Sequence, residues 1–81
     1  MPLFFMHVCN GNGFVEDQEG VELPDQDFAR VKAVEAARGI MAEDLRKGEL
    51  DLSSFIEVED QEHNHLFTLH FSEAVTMTSR H

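Results

Sequence analysis

Histidines are the side chains best suited to chemistry in this chain. His7 lies in an otherwise apolar segment, residues 3–9, where strand alternation places it on the same side as Phe5. An imidazole there has the chemistry of a general base or of a pH-sensitive switch. The alternative, which the sequence favours, is a partly buried histidine whose ring nitrogen is hydrogen-bonded to a neighbouring strand residue.

A second group of histidines lies towards the C-terminal end. His63 and His65 are two residues apart, with Glu62 before them and His70 further on. Two histidines at this spacing on one strand face the same side and can share a metal ion. His63 falls in a predicted turn, however, and no third ligand has a fixed spacing. We therefore predict a solvated, histidine-rich turn, and we assign no metal, cofactor or catalytic residue.

Neither the acidic segment nor the single cysteine has the spacing of a reactive site. Residues 16–22, with the sequence EDQEGVE, lack the regular oxygen spacing of a calcium loop. We predict that they form a solvated acidic rim that protects a strand edge. Cys9 and the Ser53–Ser54 pair have no identifiable base nearby in the sequence. Nucleophilic catalysis therefore has little support.

The distribution of charge constrains the possible partners. The 81-residue chain has a net charge of -10, yet five of its six Lys and Arg residues lie within residues 26–47. That segment holds five bases and four acids, whereas the rest of the chain holds one base and twelve acids. A mostly acidic surface opposes binding to a phosphate backbone. We therefore expect no nucleic-acid partner and consider a basic protein partner.

The sequence also predicts a cytoplasmic protein without membrane contact. Cys9 is the only cysteine, so an internal disulfide is impossible, as suits a reducing compartment. No apolar run approaches the roughly 20 residues that a membrane-spanning helix needs. The N-terminus lacks a basic region ahead of an apolar stretch, so we expect no signal peptide.

The pattern of apolar residues predicts a single α+β domain, residues 1–81, with the order β-β-α-β-β. One antiparallel sheet of about four strands packs against a single long helix that begins after Asp25 and ends before Gly48. The predicted strands cover about 3–9, 14–17, 55–60 and 65–71, the helix about 26–47 and a tail 72–81.

The first strand is apolar on both faces, which suggests an assembly. A strand with one wet face alternates apolar and polar residues, and one helix covers only one face of a sheet. The helix can cover Phe4, Met6 and Val8. Something else must cover the opposite side, and a second copy of the chain is the simplest candidate. The candidate interface of this predicted homodimer consists of Leu3, Phe5 and His7.

Several segments together resemble a known family. They are Phe4-Phe5-Met6-His7-Val8, the stretch 16–25 (EDQEGVELPD), the Ala-rich helix, Ile56-Glu57-Val58 and Phe67-Thr68-Leu69-His70-Phe71. This pattern resembles a small bacterial domain family of unknown function, with an aromatic-Phe-Phe-His first strand and an Asp/Glu-Gly-x-Glu-Leu-Pro-Asp linker. Leu3, Cys9 and Asn10 depart from the usual pattern. The resemblance covers nearly the whole chain, supports the fold and implies no activity, ligand or catalytic residue.

The chain is more weakly similar to the N-terminal domain of HicB-type antitoxins. Those domains also begin with a hairpin, pass through a Pro-Asp-containing loop and enter a helix. The similarity implies a small basic toxin as the partner. We expect no role as an autorepressor, because no added DNA-binding segment follows the predicted sheet.

These observations predict a non-enzymatic interaction module that acts as a homodimer. Two alternatives remain open. One is an antitoxin-like protein that binds a small basic partner, and the other is a small enzyme or ligand-binding domain that uses His7. The second alternative needs a concave pocket with convergent polar groups beside His7.

Overall fold

One antiparallel sheet packs against one α-helix in the part of the chain described by the computed structural model, residues 1–11 and 13–78. The elements are β1 (Leu3–Asn10), β2 (Gly13–Val15), β3 (Val21–Glu22), α1 (Gln26–Arg46), β4 (Phe55–Glu59), β5 (His65–His70) and a turn of 3-10 helix (Phe71–Glu73). The predicted α+β fold is confirmed. The end of the predicted tail lies outside the described residues.

Strand β1 is the central strand of the sheet. The order is β2-β1-β4-β5, and β3 pairs with the start of β1 on the same edge as β2. About four strands were predicted, and β3 is an additional fifth strand of the sheet. A strand of two residues is too short to show an alternating pattern, and it forms only because β1 offers unpaired backbone groups there.

Helix α1 begins and ends where its caps predict. The carboxylate of Asp25 accepts a hydrogen bond from the backbone amide of Phe28 at 2.9 Å. The chain leaves the helix through Gly48, whose φ of +83° suits glycine. The residues buried against the sheet follow at intervals of four: Ala29, Ala33, Ala37 and Met41. The neighbouring Ala36 is exposed, because the helix meets a single sheet along a narrow line.

The core lies between α1 and the inner face of the sheet. Its largest fully buried side chains are Phe71, Ile56, Leu69 and Val58. Phe4 belongs to the same cluster, with Met6 and Val8 packed at its margin. These contacts confirm that β1 turns its Phe4 side to the helix, and they show that Ile56 and Val58 point inward. Among the described residues, no helix has both the length and the apolar character needed to cross a bilayer.

Candidate functional site

The outer face of the sheet, the side away from α1, carries most of the histidines and two acidic side chains from β4. Paired residues of neighbouring strands project to the same face. Across β1 and β4, Phe5 pairs with Glu59 and His7 with Glu57. Across β4 and β5, the pairs on this face are Phe55 with His70, Glu57 with Thr68 and Glu59 with His65.

His7 is held by hydrogen bonds at both ring nitrogens. The backbone amide of Asp17 donates to Nδ1 at 2.9 Å, and Nε2 lies 2.8 Å from Oε1 of Glu59. Because Nδ1 accepts a hydrogen bond, the proton of the neutral ring sits on Nε2, which donates to the carboxylate. The residue is only 5% exposed. The favoured interpretation, a buried histidine bonded to its neighbours, matches this geometry.

The carboxylate of Asp17 replaces a strand partner along the edge of β1. Its Oδ2 accepts a hydrogen bond from the amide of Met6 at 3.0 Å, and its Oδ1 accepts one from the amide of Gly20 at 3.0 Å. Met6 lies between the stretches of β1 that pair with β2 and β3, so on that edge of β1 no strand lies opposite its amide. The predicted solvated rim was therefore wrong for Asp17, although Glu16 and Glu19 are exposed.

Glu59 joins the first strand to the β4–β5 turn. Its Oε1 accepts from His7 and also lies 3.1 Å from Nδ1 of His63. The hydrogen bonds from His7 and then His63 hold the pKa of the Glu59 carboxyl below its usual value. His63 has a φ of +67°, and its ring stacks on Phe5 with centroids 4.5 Å apart. The turn thereby covers the outer side of Phe5.

Glu57 forms a second, separate cluster. Its Oε2 lies 2.6 Å from Nε2 of His65 and accepts a hydrogen bond from the hydroxyl of Thr68 at 3.0 Å. Burial, and next the negative charge of Glu57, raise the pKa of the Cys9 thiol. Both effects favour the neutral thiol of Cys9, which is less reactive than the thiolate.

These hydrogen bonds hold the His and Glu side chains in fixed orientations, and they occupy both ring nitrogens of His7. A histidine between a carboxylate and a nucleophile is the pattern of hydrolytic triads. In His7, however, the nitrogen that would accept the proton of a nucleophile accepts a hydrogen bond from the backbone amide of Asp17 instead. His63 and His65, whose spacing on one strand would allow them to share a metal ion, turn to different carboxylates. No group of three or more His, Cys, Asp or Glu among residues 1–11 and 13–78 has the geometry of a metal site.

Two concave surfaces lie away from His7. One is between the C-terminal end of α1 and the loop after it, lined by Asn10, Gly11, Ile40, Asp44, Glu49, Leu50, Asp51 and Ser54. The other runs along the exposed side of α1. His7 lines neither of them. Neither concave surface therefore supports the alternative of a ligand pocket built on His7.

The structure covers part of the predicted interface from within the chain. Phe5 and His7 are both buried, Phe5 under His63 and His7 beneath the ring of Phe14 and the backbone of Asp17. Leu3 is half-buried. The homodimer stays a prediction, but Phe5 and His7 do not offer it a free surface. His70 is exposed, with its ring 5.7 Å from that of Phe55.

Asp17, Glu57 and Glu59 belong to the site but were not predicted as site residues. For the two glutamates a signal exists, because they alternate with the inward-facing Ile56 and Val58 and must point to the outer face. For Asp17 the sequence offers none, since its partners depend on how the loop between β2 and β3 folds.

The basic residues, which cluster in one segment of the sequence, lie in one layer of the structure, the helix. Every Lys and Arg of the described residues lies on α1 or at its C-cap, Lys47. The outer face and the loops beside it therefore carry carboxylates without a Lys or Arg from this part of the chain. Negative potential is concentrated on that side of the molecule.

A family model matches most of this chain, including the site. The model is described as "Domain of unknown function (DUF6894)" and matches residues 3–72, from β1 to the 3-10 turn. No curated protein and no solved structure matches the chain.

Proposed function

Because the chain belongs to the family of domains of unknown function DUF6894, whose description assigns no activity, we propose its function from its surface. We propose a non-enzymatic interaction module that acts as a homodimer and presents the outer face of its sheet to a basic protein partner. The bonding of His7 supports the non-enzymatic part, because neither ring nitrogen is free to move a proton to or from a substrate.

The observation that carries the proposal is the pair of fixed carboxylates on β4. The side chains of Glu57 and Glu59 are 29% and 25% exposed, so they remain within reach of a partner. Histidines and Thr68 hold them in place, which lowers the entropy lost on binding. The Lys and Arg side chains of a basic partner complement both carboxylates and accelerate association.

An aromatic side chain lies at the border of the same surface. Phe14 on β2 is 59% exposed, although its ring lies 5.5 Å from that of His7. Exposed aromatic rings beside charged groups are common anchors of protein interfaces. Their faces also attract cations through cation–π interactions. A basic partner would therefore find both charge and apolar area on one side of the molecule. A small basic toxin, as the antitoxin-like alternative requires, is one such partner.

The proposal is tested with two double variants of equal charge. Glu57→Gln with Glu59→Gln removes the fixed carboxylates, whereas Glu43→Gln with Glu49→Gln removes two exposed ones elsewhere. Binding to a lysine-rich peptide is measured by fluorescence anisotropy at low salt. We expect the first double variant to weaken binding several-fold more than the second. Equal weakening would mean that the peptide senses net charge only and would contradict the proposal.

A further inference from the structure

The exposed side of α1 carries a groove that the chain itself leaves uncovered. It is lined by Asp27, Arg30, Val31, Val34, Glu35 and Arg38. Val31 is 54% exposed and Val34 is half-buried. The stripe buried against the sheet uses other residues of the helix, Ala29 to Met41 at intervals of four. The groove therefore lies on a side of α1 that the sheet leaves open, with Val31 exposed and Val34 also packed in part against the core.

The central line of this groove has the spacing of a seam between two helices. Asp27, Val31, Val34 and Arg38 follow one another at intervals of four, three and four residues. This is the spacing of the positions that meet when two α-helices pack along each other. Two valines occupy the middle of the line, and one acid and one base occupy its ends.

Two copies of this row of residues match each other in charge and in apolar character when the two helices run antiparallel. In an antiparallel pair of helices with a two-fold axis between Lys32 and Ala33, position 27 lies opposite position 38 and position 31 lies opposite position 34. Asp27 of each copy then meets Arg38 of the other, and the four valines form the centre. An interface between identical chains requires this kind of reciprocal matching. We propose that a second copy of the chain occupies the groove in this antiparallel arrangement.

The ion pairs within one chain leave the two end charges available. Arg30 lies 3.6 Å from Glu73, and Lys32 lies 3.3 Å from Glu35, so the charges beside the seam are already compensated. Among the described residues, Asp27 and Arg38 take part in no ion pair. Arg38 donates a hydrogen bond from Nε to the carbonyl of Ala74, which orients its guanidinium beside the groove.

This inference rests on the proposed homodimer and names its interface. A contact built from one helix of each copy is smaller than the roughly 800 Å² per partner of a standard interface. The dimer should therefore dissociate readily and show a clear dependence on concentration. The outer face of the sheet belongs to other elements, so it stays available to a basic partner.

Charge reversal tests the arrangement without removing the apolar centre. Asp27→Arg places like charges opposite each other at both ends of the seam, and Arg38→Asp does the same with the opposite sign. We expect each single variant to raise the dimer dissociation constant at least about tenfold in sedimentation equilibrium. The double variant, Asp27→Arg with Arg38→Asp, should restore the dimer. Mixing the two single variants should yield a heterodimer, because every contact is then between opposite charges.

Matched controls separate the interface from general effects. Gln26→Arg and Arg46→Asp change charge on exposed positions of the same helix outside the groove, and they should leave the dissociation constant within about twofold. Thermal melting by circular dichroism confirms that each variant is folded. A wild-type chain that stays monomeric overturns both the homodimer and this interface. A dimer that ignores the charge reversals overturns the interface alone, and peptide binding on the outer face is measured independently of both.

Discussion

The backbone amide of Asp17 donates a hydrogen bond to Nδ1 of His7 over 2.9 Å, and this bond decides how the outer face is organised. It places the ring proton on Nε2 and directs it to Glu59. The same segment holds Met6 and Gly20 through the Asp17 carboxylate. His7 therefore joins the loop between β2 and β3 to the central strands.

Truncation of His7 should be costly. His7→Ala removes a buried ring and leaves the Asp17 amide without its acceptor, so we expect a loss of about 2–4 kcal/mol in the free energy of unfolding. His70→Ala, at an exposed position on the same face, should change that free energy by less than about 0.5 kcal/mol. Urea denaturation followed by circular dichroism measures both. Similar small effects at the two positions would show that the bonds of His7 contribute little.

Acidification should weaken the fold through Glu59. Its pKa is lower in the folded chain than in the unfolded chain, chiefly because His7 and then His63 donate to it. The resulting stabilisation is present above the ordinary carboxyl pKa and is lost as the pH falls through the folded value. We expect the free energy of unfolding to decrease as the pH falls through and below the range where glutamates ordinarily titrate.

The contribution of Glu59 to this slope can be isolated. Glu59→Gln should make the dependence of unfolding free energy on pH shallower than in the wild type. A remainder should persist, because hydrogen bonds also lower the pKa of Asp51 and of Asp60. Glu62→Gln, at an exposed position in the next turn, serves as the control and should keep the wild-type slope. An unchanged slope in Glu59→Gln would contradict the assignment.

Cys9 should react more readily when Glu57 loses its charge. Burial, and next the charge of Glu57, raise the pKa of the Cys9 thiol, and only the thiolate reacts with iodoacetamide. In Glu57→Gln we expect the pH midpoint of alkylation to move down, while the effect of burial remains. Rates are followed by mass spectrometry across the alkaline range. A midpoint that stays at the wild-type value would exclude Glu57 as a cause.

Two glycines should respond to alanine in opposite directions. Gly20 has a φ of +72°, and an added Cβ would lie 3.0 Å from both Cγ of Leu3 and the carbonyl oxygen of Phe4. Gly20→Ala should therefore lower the free energy of unfolding by about 1–3 kcal/mol. Gly39 lies in α1 with nothing near the added atom, so Gly39→Ala should raise it by about 0.5–1 kcal/mol. Chemical denaturation of both variants tests the pair, and a neutral Gly20→Ala would contradict the tight packing of this loop.

The layers of the fold could be predicted from the sequence because local patterns encode them. The alternation of Ile56 and Val58 with glutamates marks a half-buried strand, and Asp25 marks the start of the helix. The two-residue β3 has no such pattern. The site depends on contacts between distant segments, such as His7 with Glu59, which are 52 residues apart. Composition and spacing therefore identified His7 but could not identify the residues that bond to it.

The segment that packs on the outer side of β1 could not be predicted for the same reason. Because the first strand is apolar on both sides and a single helix was predicted, a second copy of the chain was expected to cover Phe5. In the structure the ring of His63 lies on Phe5, and a turn with a positive φ brings it there. Sequence periodicity describes which side of a strand is apolar, but it does not describe which loop folds over that side.

Binding of a basic partner to the outer face of the sheet can be located residue by residue in an NMR titration. The 15N-labelled chain is titrated with a lysine-rich peptide at low salt, and changes in backbone amide shifts are mapped onto the elements. We predict that the largest changes fall on β4, β5 and the turn that contains His63. Changes centred on α1, or spread evenly over all exposed acids, would contradict it.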